Sequence, residues 1–137
     1  MNQEQIKIIK TSFEKIEPIA DQAGMLFYEK LFEIAPELSS LFFNDRTVQA
    51  QKLMKTLGVV VHNLENIEDI LPNVEKLAIA HVDYGVKPEH YLPVGKALIW
   101  TIEKGLGDDC TTEIKEAWLA AYRFLSNFMI SVAYNSE

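Results

Sequence analysis

Apolar positions recur every three to four residues along most of the chain, and no stretch sustains the two-residue alternation of a half-buried strand, so the pattern predicts an all-α fold. Prolines and glycines fall mainly between the periodic stretches, at Pro18, Pro36, Gly85, Pro88, Gly105 and Gly107. The first helix is expected from about Gln3 to Glu17. Asn2 is its candidate cap, Gln5 follows at capping-box spacing, and Ile6, Ile9 and Phe13 face inward. A second helix covers about Asp21 to Ile34, and Pro36 can open a short third one because its missing amide proton costs nothing in a first turn. Phe42 and Phe43 lie just beyond it.

A fourth helix, from about Thr47 to Leu64, carries Gln49, Leu53, Thr56, Leu57, Val60 and Leu64 along one stripe, the spacing of a face turned toward a core. A fifth begins near Pro72, aligns Val74, Leu77, Ala78 and His81, and ends near Gly85, a residue suited to a left-handed cap. The sixth, Glu89 to Lys104, buries Val94, Leu98 and Ile102. The last, about Glu113 to Ala133, buries Ile114, Ala117, Trp118, Ala121, Leu125 and Phe128. No internal repeat or low-complexity segment is present.

The 137 residues fit one domain spanning 1–137, enough to bury roughly 70% of the unfolded surface. With 48% hydrophobic and 24% charged residues the chain reads as a folded protein. A formal charge of −7 without a basic cluster repels phosphate backbones, which argues against a nucleic-acid partner. Cys110 is the one cysteine, so no intrachain disulfide forms. The start, Met1-Asn2-Gln3-Glu4, lacks the layout of a signal peptide, and no apolar run approaches the ~20 residues that span a bilayer. A cytoplasmic protein without a membrane partner is expected.

Periodicity places His81 on an apolar helical face, where it reads either as a core histidine bonded to backbone or as a metal ligand. The surrounding run His81-Val82-Asp83-Tyr84-Gly85-Val86-Lys87-Pro88-Glu89-His90-Tyr91-Leu92-Pro93-Val94-Gly95 resembles the proximal histidine region of bacterial globins, including the globin domain of flavohaemoglobins. Phe27-Tyr28, Leu31-Phe32, Pro36-Glu37, Leu41-Phe42 and Asn63-Leu64-Glu65-Asn66-Ile67 match the family in order, and the resemblance covers nearly the whole chain. Each short piece recurs by chance; their order and spacing together are specific.

The resemblance implies a globin fold, a helical sandwich around one haem b (iron protoporphyrin IX), with His81 as proximal ligand. A neutral imidazole that binds iron through one nitrogen needs an oriented acceptor for the other, and a carbonyl one turn earlier, near Leu77, is the candidate. The family also places a tyrosine near this histidine, which points to Tyr91 as a donor that fixes the imidazole plane; packing against the fifth helix is its other reading. On the distal side the resemblance puts Gln49 at the ligand-facing position and Leu53 one turn on, with Tyr28 reaching in from the second helix. Val48 takes Gln49's place if the register is off by one, because the connection after Phe42 is shorter than the family's. A phenol and an amide aimed at a partly negative ligand stabilise it by roughly 1 kcal/mol each or more. Without the family, Tyr28 reads as a core ring and Gln49 as a solvated helix-start residue. Phe42 matches the aromatic pressed against the haem plane, and Val94 and Leu98 offer apolar contact from the sixth helix; all three read equally as core.

His62 lies 13 residues after Gln49, roughly 20 Å along the same helix, and His90 reads as a capping or solvated residue; neither is assigned a site. Ala133 stands where the resemblance leads one to expect a buried glutamate that makes the proximal imidazole more electron-rich, which weakens the case for peroxidase-like or dioxygenase-like activation of a bound ligand. The primary expectation is reversible binding of dioxygen and other small gaseous ligands, for capture, storage or transport, by a monomer or weak homodimer with no catalytic residue beyond the haem. Nitric oxide dioxygenase or a related haem activity, dependent on an external reductase, is the second expectation. The third is a haem-free regulatory module of the same fold.

Overall fold

The computed structural model describes residues 2–41, 45–83 and 85–134, and among them all regular structure is helical. Helix α1 spans Gln3–Ile16 and opens on the expected capping box. Asn2 Oδ1 accepts from Gln5 N at 2.8 Å, and Gln5 Oε1 accepts from Asn2 N at 3.3 Å. Pro18 then enforces a short 3₁₀ turn, Glu17–Ile19, so α2 starts one residue earlier than expected and covers Ala20–Ile34. The short helix expected at Pro36 is a 3₁₀ segment, Pro36–Leu41.

Helix α3 covers Arg46–His62, with Asp45 Oδ1 accepting from Thr47 N at 2.7 Å. It stops short of the expected Leu64 because Asn63 caps it: the side-chain amide donates to Val59 O at 2.7 Å, which competes with continuation of the helix. A kinked 3₁₀ segment, Leu64–Asp69, leads into α4, Leu71–Asp83. After α4 comes Gly85 at φ +94, a left-handed position that a residue with a Cβ adopts only under strain. Helix α5 spans Tyr91–Leu106, preceded by the 3₁₀ turn Pro88–His90. It runs through Gly105 to end at Gly107, whose φ is +58, so the terminating glycine is the second of the two expected there. Helix α6 is Thr112–Tyr134.

Three apolar clusters hold the helices together. Ile9, Phe13, Ile16, Ile102 and Trp118 join α1 to α5 and α6, and Trp118 Nε1 donates to the buried Ser12 Oγ at 2.9 Å. Phe27, Leu31, Ala50, Ala97 and Leu98 join α2 to α3 and α5. Val74, Ala78, Tyr91 and Met129 join α4 to α5 and α6. The crossing of α2 over α3 is close enough to require glycine: a Cβ on Gly24 would stand 2.7 Å from Ala50 Cβ and 2.9 Å from Ala50 O. Between the second and third clusters the helices do not meet, and a cavity opens there. The stripe on α3 read as a core face forms its wall: Leu53, Thr56, Leu57 and Val60 line the cavity, while the fully packed positions on α3 are Ala50, Met54 and Val61.

Candidate functional site

The cavity has a volume of about 300 Å³ and is walled by α2, α3, α4, α5 and α6. His81 reaches it from the last turn of α4. Its Nδ1 is 2.7 Å from Leu77 O, four residues earlier on the same helix. Since a carbonyl only accepts, Nδ1 carries the proton, and Nε2 is the nitrogen left with a lone pair and no partner among the described residues. Leu77 also lines the cavity. Tyr91, 8% exposed, stacks beside His81 with ring centroids 6.5 Å apart and planes inclined by 24°. Its hydroxyl is buried without a hydrogen-bond partner among the described residues, so it makes no bond to the imidazole here.

Tyr28 enters from α2, 7% exposed, edge-on to Phe27 with centroids 5.1 Å apart. Burial pushes its phenol up to about 12, and burial with the neighbouring Tyr134 does the same to Tyr91, so both stay neutral donors at physiological pH. Leu53, Val94 and Leu98 stand on the same wall. Seven of the residues singled out by sequence, Tyr28, Leu53, Leu77, His81, Tyr91, Val94 and Leu98, are thus brought to one cavity. Gln49 is not brought to its wall: it is half-buried on the first turns of α3, with Oε1 enclosed and unpartnered among the described residues. Val48, the alternative register, is exposed. Phe42 lies outside the described residues.

His90 lines the cavity although no site was assigned to it. The capping role expected of it is present too, because Lys87 N donates to His90 Nδ1 at 3.0 Å. Helical spacing could not signal its place, since it stands in a 3₁₀ turn ahead of α5. His62 points away, 3.5 Å from Glu17 Oε2 at the surface. Leu125 and Met129 of α6 also line the wall; the sequence reading placed Leu125 in the core only. Ala133 packs in the cluster that contains Tyr91 and contributes no carboxylate. Among the described residues lining the cavity there is no Asp, Glu, Lys or Arg.

This arrangement narrows the chemistry. No group of three or more His, Cys, Asp or Glu among the described residues could hold a metal ion, and a single imidazole does not retain a free ion. Of the two histidines that line the chamber, His90 uses its Nδ1 to cap its own turn, and the imidazole of His81 in largely apolar surroundings suits instead a metal that arrives already held in a macrocycle and needs one axial ligand. The comparison with protein families agrees: the Globin model matches residues 26–129, a span from α2 to α6 that contains all of the helical wall.

The chain belongs to the globin family. Globins and flavohaemoproteins bind haem. This globin is 38% identical over 129 residues to a flavohaemoprotein of Oceanobacillus iheyensis, covering 92% of this chain and 32% of that protein. It is 31% identical to the flavohaemoprotein of Vibrio cholerae, covering 95% and 34%. The chain thus spans about a third of the length of these relatives. Among solved structures, a bacterial globin from Campylobacter jejuni superposes with a TM-score of 0.86 at 30% identity, covering 98% of this globin and 97% of that chain. A candidate nitric oxide dioxygenase of Rhodothermus marinus, engineered as a carbene transferase, gives 0.86 at 25% identity, covering 94% and 90%. No helix of the described residues is long and apolar enough to cross a membrane.

Proposed function

We propose that this globin holds one haem b in the cavity through Nε2 of His81 and reversibly binds dioxygen and other small gaseous ligands there. The observation that carries the reading is the pair formed by His81 Nδ1 and Leu77 O, 2.7 Å apart in the wall of a cavity whose described lining holds no Asp, Glu, Lys or Arg. That bond fixes both the tautomer and the plane of the ring, so the ligating nitrogen is preorganised rather than selected on binding. The residues present fit such a group: one imidazole for the iron, and Leu53, Val94 and Leu98 against an apolar macrocycle. Haem, when bound, supplies the iron at which a diatomic gas attaches.

The chain's own residues do the rest. Tyr28 offers a neutral phenol that donates a hydrogen bond to a polarised ligand. Leu53 and Leu57 on α3, with Phe27 and Leu31 on α2, keep water from the space around it. Gln49 is assigned a supporting role at the edge of the distal side, and Phe42 a contact with the haem plane. The test is an absorption spectrum of the purified protein supplied with hemin, reduced with dithionite under nitrogen, then freed of reductant and exposed to air. A strong haem band that shifts reversibly with oxygen supports the reading. Protein that stays colourless with added hemin contradicts it and favours the haem-free module.

A second reading, nitric oxide dioxygenase fed by a separate reductase, is favoured by the flavohaemoprotein relatives and the Rhodothermus marinus neighbour. Consumption of nitric oxide by the oxygenated protein, sustained by an added flavin reductase, separates it from simple gas binding.

A further inference from the structure

The two imidazoles that line the cavity are held by local hydrogen bonds in opposite tautomers. His81 Nδ1 donates to Leu77 O, so its Nε2 keeps a lone pair. At His90 the order is reversed. Lys87 N donates to His90 Nδ1 at 3.0 Å while His90 N donates to Lys87 O at 2.9 Å, a reciprocal pair that fixes the ring on its turn. A nitrogen that accepts from an amide bears no proton, so the neutral ring of His90 carries its proton on Nε2. One imidazole thus offers the cavity a lone pair and the other an N–H donor, and the lone pair alone suits a metal.

The donor gains a role from what the wall lacks. Haem b is an apolar disc with two carboxylates on one edge, and a carboxylate at the border of an apolar chamber needs hydrogen-bond donors in place of the water it loses. No described lining residue is Lys or Arg. Tyr28, Tyr91 and Ser126 are buried, and Tyr122 spends its hydroxyl on Tyr91 O. Besides His81, the polar lining residues that still meet solvent are Thr56 and Asn73, on α3 and the first turn of α4, and His90 beyond the last turn of α4. Asn73 precedes His81 by about 12 Å along α4, so these donors lie toward opposite ends of that helix. Of the three, His90 has the donor already oriented by a backbone bond.

We propose that His90 holds a carboxylate of the haem through its Nε2–H and so turns the charged edge of the cofactor toward the segment between α4 and α5. The inference rests on the haem reading of the cavity and gives His90 no bond to the iron. The cap on Lys87 persists with the carboxylate bound, because it uses the other nitrogen.

Titration with hemin and with hemin dimethyl ester tests this, since the ester keeps the iron and macrocycle but neutralises both carboxylates. His90→Leu is expected to weaken hemin roughly three- to tenfold more than the ester, the range of one charge-assisted hydrogen bond at a half-exposed site. Asn73→Ala is expected to leave the preference for hemin unchanged. Equal weakening of both porphyrins in His90→Leu means that the ring does no more than cap its turn and overturns the proposal, as does a preference that falls in Asn73→Ala instead. A wild-type chain that binds neither porphyrin fails the haem reading and this inference with it; one that binds hemin with the preference unaltered in His90→Leu fails this inference alone. Nuclear magnetic resonance of the unaltered chain decides if His90→Leu does not fold. With zinc protoporphyrin IX as a diamagnetic stand-in, the His90 Nε2–H proton should be protected from exchange and should lose that protection with the dimethyl ester. The same behaviour with both overturns the proposal.

Discussion

His81 takes its orientation from a carbonyl of its own helix, so the nitrogen proposed to hold the iron is set by local backbone geometry that point changes elsewhere hardly disturb. Tyr28 and Gln49, the two side chains proposed as distal donors, are less alike than their residue types imply. Tyr28 stands on the cavity wall, whereas the amide of Gln49 does not. Tyr28→Phe is accordingly expected to speed oxygen release by roughly tenfold, the effect of one hydrogen bond in an apolar site, and Gln49→Leu by less; stopped-flow displacement of oxygen measures both. Equal effects would return Gln49 to the ligand-facing place that the order of motifs implied. His81, Leu77, Tyr28 and Leu53 could be placed from sequence because helical periodicity and motif order fix which residues share a face. His90 could not, since a histidine that caps a turn has the same local signature whether or not its ring also borders a cavity.

Among the elements, helix identity was legible almost to the residue where caps are local. The Asn2–Gln5 box and the left-handed Gly85 are written in short spacings. Three places were not: the 3₁₀ turn at Pro18, the early end of α3 at Asn63, and the passage of α5 through Gly105. Each depends on which carbonyl wins a competition that periodicity does not encode. Distant pairings were equally invisible, above all the crossing at Gly24 and Ala50. Gly24→Ala should destabilise the protein by about 1–3 kcal/mol, because the new methyl meets backbone as well as side chain and neither yields cheaply. Urea unfolding checks this, and an unchanged midpoint would mean that α2 and α3 separate freely. Removal of the Trp118 bond by Ser12→Ala should cost about 1–2 kcal/mol in the same assay, since it leaves the indole N–H buried without its acceptor.

For the molecule as a whole, the buried Tyr28 and Tyr91 and the half-buried Tyr122 border one cavity whose described lining holds no Asp, Glu, Lys or Arg, and burial raises the pKa of each phenol. The neutral form is the one folding favours. Between pH 10 and about 12 the unfolded chain has lost protons that Tyr28 and Tyr91 still hold, so the stability these groups contribute is complete below pH 10 and disappears as pH rises through about 12. Absorbance at 295 nm should show part of the tyrosine ionisation delayed beyond pH 10, with unfolding by urea easier over the same interval. All phenols titrating near pH 10 would mean that the cavity is open to water. The absence of Asp, Glu, Lys and Arg from the described wall was only partly legible, because periodicity names the residues that face inward but not which of them stop short of one another and leave a chamber.

That chamber and His81 make a single claim together, and hemin titration of the purified chain beside His81→Ala tests it most directly. One hemin per wild-type chain, with a sharp haem band, and weak or unsaturable uptake by the variant is the predicted result. Equal, stoichiometric uptake by both would remove His81 from the iron and contradict the account.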